Sequence, residues 1–304
     1  MEPDIDQLAD GPAADPGLNA QFLPHRTMLL GLAYRLLGSA WDAEDVLQEA
    51  YLRWVGADRA AVRDPRRYLS RTVVRLAMDQ LRRRATQPYV GTWLPEPVPD
   101  GSPVLGPMDT VELRESVSLA TLHLLERLTP PERAVYLLRV AFEFGYPEIA
   151  EILGRGEADC RQLLHRATGR VGDGTARFTA EPAQHAALLR RFLAAARDGD
   201  VPGLAALLRD DAIAWSDGGG KVRAGRFPIR GRDKVARLFG ALYARWPVYG
   251  VRELRVNGEP AVAIWRRAGP QLWTVRPSAA GKLAGVYLTL NPDKLRSVPQ
   301  LWEP

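Results

Sequence analysis

The chain has 304 residues, 46% of them hydrophobic and 25% charged, a composition that excludes disordered and fibrous classes and suggests two or three globular domains. Its net charge of +5 permits a nucleic-acid partner without requiring one. One cysteine, Cys160, excludes an intrachain disulfide and fits a reducing cytoplasm, and no apolar run approaches the roughly 18 residues of a membrane helix.

The first sixteen residues hold five acids and no Lys or Arg, so residues 1–19 are expected to be a disordered acidic tail rather than a signal peptide. Residues 20–86 have helical periodicity. Gly38-Ser39 breaks the pattern, and Ser39 can cap a new helix. That helix sets Ala43, Val46, Leu47, Ala50, Tyr51 and Trp54 on one apolar face. Asp45, Gln48, Glu49 and Leu52 share an opposite ridge, able to grip a basic partner helix. Spacing alone favours an ordinary solvated face. A further helix starts at Asp64-Pro65, and residues 63–84 carry eight arginines against two aspartates. Arginine forks suit phosphate oxygens. Residues 221–237 are nearly as basic, so charge alone does not locate a nucleic acid.

Residues 87–110 form a proline-rich linker, in which Trp93 and Leu94 are expected to dock on a neighbouring surface. Residues 111–176 return to helices. Thr129-Pro130-Pro131-Glu132 is a capping box. A short helix from Pro147 to Leu153, a glycine turn and a helix from Glu157 to about Arg170 have the order of a helix-turn-helix. The second helix would offer Arg161, Gln162, His165 and Arg166 to a major groove, although a plain helical hairpin has the same spacing. Cys160 is placed as a small buried residue.

From residue 181 onward two helices precede strand-forming stretches at 212–216, 251–256, 261–266, 272–275 and 286–290, with a helix from Asp233 to about Trp246 between them. This pattern implies an α+β domain with a curved antiparallel sheet over 181–304. Asp217-Gly218-Gly219-Gly220-Lys221 and Asn291-Pro292-Asp293-Lys294-Leu295 follow strands as turns. No metal-ligand spacing, Walker loop, nucleotide fingerprint or nucleophile elbow is present, and no cofactor is expected.

These segments together resemble a known family. Residues 22–54, with the D-A-E-D-V-L-Q-E-A stretch, and residues 64–84 are similar to sigma region 2 of extracytoplasmic-function (ECF) RNA polymerase sigma factors, and 128–171 resembles sigma region 4. WLPEP (Trp93, Leu94, Pro95, Glu96, Pro97), DGGGK (217–221) and NPDKL (291–295) resemble motifs of an ECF subgroup with a C-terminal SnoaL-like, NTF2-like cone. The resemblance implies an all-α sigma region 2 and a region 4 helix-turn-helix, followed by an α+β cone. It implies that Asp45, Gln48, Glu49 and Leu52 bind the polymerase β′ clamp, with the β flap a further contact of core polymerase. Arg71, Arg75, Arg82, Arg83 and Arg84 would hold the −10 element, and Arg161, Gln162, His165 and Arg166 would read the −35 element. The three motifs would make regulatory interdomain contacts in place of a separate anti-sigma protein. Arg75 stands where many relatives have Asn, and Gly156 where a serine cap is common. Two other readings of the cone stay open: a sensor of a small apolar ligand, and a cyclase-like or isomerase-like enzyme with Asp217 as acid–base and Trp215, Trp265, Trp273 and Tyr287 lining a cavity.

Overall fold

The computed structural model describes residues 16–172 and 181–301. Most of the expected tail, residues 1–15, lies outside them. Residues 16–19 of that tail are helical, because α1 runs Pro16–Leu37. After the Gly38-Ser39 break comes α2 (Ala40–Val55), whose first turn is capped by Ser39 Oγ accepting from Asp42 N at 3.3 Å. The basic helix α3 (Pro65–Ala85) starts with Asp64 accepting from Arg67 N at 3.1 Å and Pro65 in the first turn. Beyond the linker lie α4 (Val111–Val117), α5 (Leu119–Leu125) and α6 (Pro130–Tyr136), which continues as one wide turn, Leu137–Ala141. Thr129 N donates to Glu132 at 3.0 Å, the expected capping box. The helix-turn-helix is α7 (Tyr146–Leu153) and α8 (Glu157–Gly172), joined by Gly154 at φ +64°, a left-handed position.

These helices share one apolar core, from Leu29 and Trp54 through Val73 and Leu105 to Leu138, Ile149, Cys160 and Val171. Arg35 lies inside it with no exposed surface. Its guanidinium donates to Ser116 Oγ at 2.7 Å and to the carbonyls of Leu105 (2.5 Å), Pro107 (3.1 Å) and Leu113 (3.0 Å). One side chain therefore satisfies two carbonyls of a loop that cannot form its own ladder and one of α4, and fastens the linker and α4 to α1.

The second unit has α9 (Pro182–Arg197), α10 (Val201–Leu207), β1 (Leu208–Asp217), β2 (Ile229–Arg230), α11 (Arg232–Arg245), β3 (Gly250–Val256), β4 (Glu259–Arg266), β5 (Gly269–Pro277), β6 (Leu283–Thr289) and α12 (Pro292–Leu295). The strand order is β2-β1-β6-β5-β4-β3. The sheet is mixed, which corrects the antiparallel expectation: β1 and β6 run parallel, with Trp215 beside Tyr287 and Asp217 beside Thr289. The β3–β6 meander carries the chain back to the strand it left. One sheet face packs on α9–α11 through Phe192, Phe239, Trp273 and Val286. The opposite face is covered by the linker, α5 and α12 through Leu94, Leu119, Ala120 and Leu295. Every residue of β6 is therefore buried, and its sequence LAGVYLT lacks the alternation of a half-exposed strand.

Candidate polymerase and DNA surfaces and the seam between the units

The α2 ridge faces outward. Asp45, Gln48 and Glu49 are exposed, and Leu52 is 64% exposed although the same helix buries Val46, Leu47 and Trp54. An apolar side chain left in water between carboxylates suits a protein contact. Glu49 also pairs with Arg53 at 3.0 Å, a surface interaction that a partner can displace at little cost.

The basic residues of α3 part ways. Arg75 and Arg83 are exposed, Arg82 pairs with Asp79 at 2.6 Å, and Arg71 is half-buried. Arg84 turns inward instead. It donates to Leu37 O at 2.9 Å and Asp42 Oδ2 at 2.5 Å, and lies 4.8 Å from the Trp93 ring. On α8, Gln162 and His165 are exposed, whereas Arg161 pairs with Glu157 at 2.8 Å and stacks 4.8 Å from Tyr146. Arg166 lies 3.4 Å from Glu132, which is only 3% exposed and also holds Arg170.

The two helical groups pack on each other. Arg67 of α3 reaches Glu148 at 3.3 Å and Glu151 at 3.1 Å on α7, and Arg66 lies 4.7 Å over Phe144. The helix expected to hold the −10 element is thus set against the first helix of the helix-turn-helix.

The three motifs meet at one seam. Asp217, wholly buried, accepts from Tyr89 Oη at 2.6 Å, Leu94 N at 2.9 Å, Gly219 N at 3.0 Å and Lys294 Nζ at 2.7 Å. Lys294 also donates to Leu94 O, and its ammonium sits 3.9 Å from the Trp93 ring centre. Burial drives the Lys294 pKa down to about 8, against the opposing pull of Asp217. Gly219 and Gly220 are left-handed at φ +58° and +75°. A Cβ on Gly219 would lie 2.2 Å from Asn291 Nδ2, so glycine lets the two loops touch. Asn291 in turn donates to Tyr89 Oη at 3.1 Å, and Lys221 pairs with Asp293 at 2.5 Å.

Glu96 completes the seam. Its carboxylate accepts from Ala40 N at 2.8 Å and from Ser297 Oγ, and its backbone N–H donates to Gly38 O at 2.8 Å. Burial raises its pKa. Pro95 and Pro97 are buried on either side, and Leu295 is 1% exposed among Val256, Ala261 and Leu272. Pro292 opens α12 at its first turn.

Sequence reasoning missed Tyr34, Tyr89, Ser297 and Asn257. Asn257 is buried at φ +55° in the β3–β4 turn. It accepts from Val98 N at 2.9 Å and donates to Tyr34 Oη at 2.6 Å and Val117 O at 2.9 Å, so it joins α1, the linker, α4 and the cone. Asn257-Gly258 between two strand stretches is a hairpin signal, which marks the turn but not this second duty.

The expected aromatic quartet divides. Trp273 packs on Phe239 (5.0 Å) and Tyr243 (6.2 Å) inside the cone. Trp265 lies on the other face and donates to Leu301 O at 3.0 Å. Trp215 and Tyr287 stack at 4.8 Å on that same outer face, with His123 of α5 edge-on at 5.2 and 5.8 Å. They border a cleft of about 1430 Å³ between α4–α5 and the sheet, not a chamber within the cone. Burial lowers the His123 pKa to about 4.

Comparison with known proteins defines the class. Residues 22–87 match Sigma-70 region 2, 118–170 match Sigma-70 region 4, and 189–287 match a SnoaL-like domain. The arrangement is that of a sigma-70-type initiation factor with a fused cone. "ECF RNA polymerase sigma factor SigJ" of Mycobacterium tuberculosis is 36% identical over 296 residues, covering 92% of this chain and 94% of that protein. "Probable ECF RNA polymerase sigma factor SigI" of the same species is 31% identical over 288 residues, covering 92% and 95%. The crystal structure of M. tuberculosis SigJ superposes with a TM-score of 0.74 at 33% identity, covering 92% of this chain and 99% of that one. The chain therefore belongs to the ECF RNA polymerase sigma factors, which direct promoter-specific initiation of transcription, and carries a C-terminal SnoaL-like domain.

Proposed function

We propose that this conformation is a closed form of the sigma factor, held shut by its own cone, and that it opens to place its two DNA-reading helices on a promoter. The observation that carries the reading is the α3–α7 contact, where Arg67 is paired with Glu148 and Glu151. In a promoter, elements some 20 base pairs apart lie on the order of 70 Å apart along the duplex, at 3.4 Å per base pair. Helices packed side by side do not span that distance. Asp45, Gln48, Glu49 and Leu52 grip the polymerase β′ clamp in this reading, and region 4 meets the β flap. Arg71, Arg75, Arg82 and Arg83 follow the −10 phosphates, while Arg161, Gln162, His165 and Arg166 read the −35 groove. Arg84 serves the closed form through Asp42 and Trp93 and takes up DNA only after opening.

The seam around Asp217 and Lys294 is the clasp. Four donors converge on the Asp217 carboxylate, so it has no free lone pair directed at a substrate, which favours a structural duty over acid–base catalysis. Run-off transcription with core polymerase tests this directly. Asp217→Asn is expected to raise the yield of promoter-specific transcript while core binding stays constant. Equal yields from variant and parent at every promoter tried would overturn the reading.

A further inference from the structure

Residues 221–237 carry seven Lys and Arg against one Asp, a net of +6 in a chain whose total is +5, so the remainder of the molecule is slightly acidic. Region 2, residues 22–87, holds twelve arginines against seven acids, a net of +5, and this segment is a second basic cluster of similar size. It sits on the cone, in the loop between β1 and β2 and the start of α11.

The arrangement of this segment is fixed. Gly225 N donates to Ser216 Oγ at 2.9 Å, Val222 N donates to Gly218 O at 3.1 Å, and Gly231 N donates to Ala212 O at 2.8 Å. Lys221 is spent on Asp293, and Arg232 on Asp210 and Asp233. Arg223, Arg226, Arg230, Lys234 and Arg237 are exposed and have no acidic partner among the described residues. Phe227 stands among them 81% exposed. Four of these five cations are arginines, whose planar forks match phosphate oxygens. The loop also adjoins the start of the linker. Gly220 abuts Val90, where an added Cβ would lie 3.2 Å from the valine, and a Cβ on Gly91 would approach Gly225 O to 3.8 Å. Only residues 86–90 separate this junction from the end of α3, where Arg82 and Arg83 face solvent.

We propose that residues 223–237 of the cone form a second DNA surface, which contacts the phosphate backbone without reading sequence and extends the basic end of α3. The proposal rests on the chain being a sigma factor and not on the clasp. Phosphate contacts steer and hold a duplex but do not specify it. The cone then contributes to promoter affinity in its own right.

The test is holoenzyme assembled from core polymerase and the full-length chain, bound to a promoter duplex and to an unrelated duplex across a salt series. The quadruple variant Arg226→Gln, Arg230→Gln, Lys234→Gln, Arg237→Gln removes charge at exposed positions, and its circular dichroism and melting serve as the folding control. It is expected to weaken binding to both duplexes by the same factor. The slope of log K against log salt should flatten by about 0.9 for each phosphate that the variant leaves unneutralised. An unchanged slope with unchanged affinity overturns the proposal. Weaker core polymerase binding with the DNA slope intact also overturns it, and assigns the surface to an acidic protein face. Asp217→Asn in the same assay separates the two readings, since it leaves these cations in place.

Discussion

At the scale of single residues, the proposed clasp centres on a buried charge pair. Asp217 has no exposed surface and Lys294 is 9% exposed, and each holds a linker group as well as the other. Such a pair is expensive to assemble and more expensive to halve, because the survivor is a buried charge without its counterion. Asp217→Leu alone and Lys294→Met alone are each expected to cost about 3–5 kcal/mol. The double variant is expected to cost clearly less than the sum, since neither charge is then left behind. Urea unfolding of all four chains checks this, and strict additivity would show that the pair is not coupled. These two residues were legible in the DGGGK and NPDKL motifs. Asn257 was not, because its role is set by partners at Val98, Tyr34 and Val117 far away in sequence. The inward turn of Arg84 was hidden for a similar reason. In the sequence it is one of three consecutive arginines, and only the packing of α3 beside Asp42 and Trp93 distinguishes it.

Among elements, the contact of α5 with the outer sheet face is expected to weaken in acid. His123 lies between Trp215, Tyr287 and Trp93, with Glu126, Arg127 and Arg276 as the charged groups acting on it. Its pKa is lowered from 6.5 to about 4, chiefly by burial. Once α5 leaves the sheet the ring returns toward its ordinary value, so between these two pH values the open form binds more protons. The closed form is then fully favoured above about pH 6.5 and loses that advantage as pH falls toward 4. Energy transfer between dyes at positions 162 and 237 is expected to drop over this window in the parent and much less in His123→Phe. The same acid response in both would show that His123 is not the acid-sensitive group. The helix starts at Ser39, Asp64 and Thr129 were legible because capping is local chemistry. The parallel β1–β6 pairing was not, because alternation within a strand says nothing about which strand lies beside it.

At the scale of the whole molecule, the linker works as an adhesive rather than a spacer. Residues 94–98 are buried between the helical unit and the cone; Arg35 and Asn257 satisfy backbone groups that a proline-rich segment cannot pair for itself, and the segment's own Glu96 accepts from Ala40 N at the start of α2. Docking of Trp93 and Leu94 was foreseeable from their presence in a polar stretch. Their partners depended on the complete fold. The arrangement leaves the α2 ridge exposed while α3 and α7 are packed together, so the proposed closed form predicts that core binding and promoter binding are separable. The most direct test locks that contact. In a Cys160→Ala background, Arg67→Cys and Glu151→Cys are joined by a short cleavable bis-maleimide. The linked chain is expected to bind core polymerase and give no promoter-specific run-off transcript until the linker is cut, when transcription returns. A linked chain that initiates as well as the cleaved one would contradict the closed-form assignment.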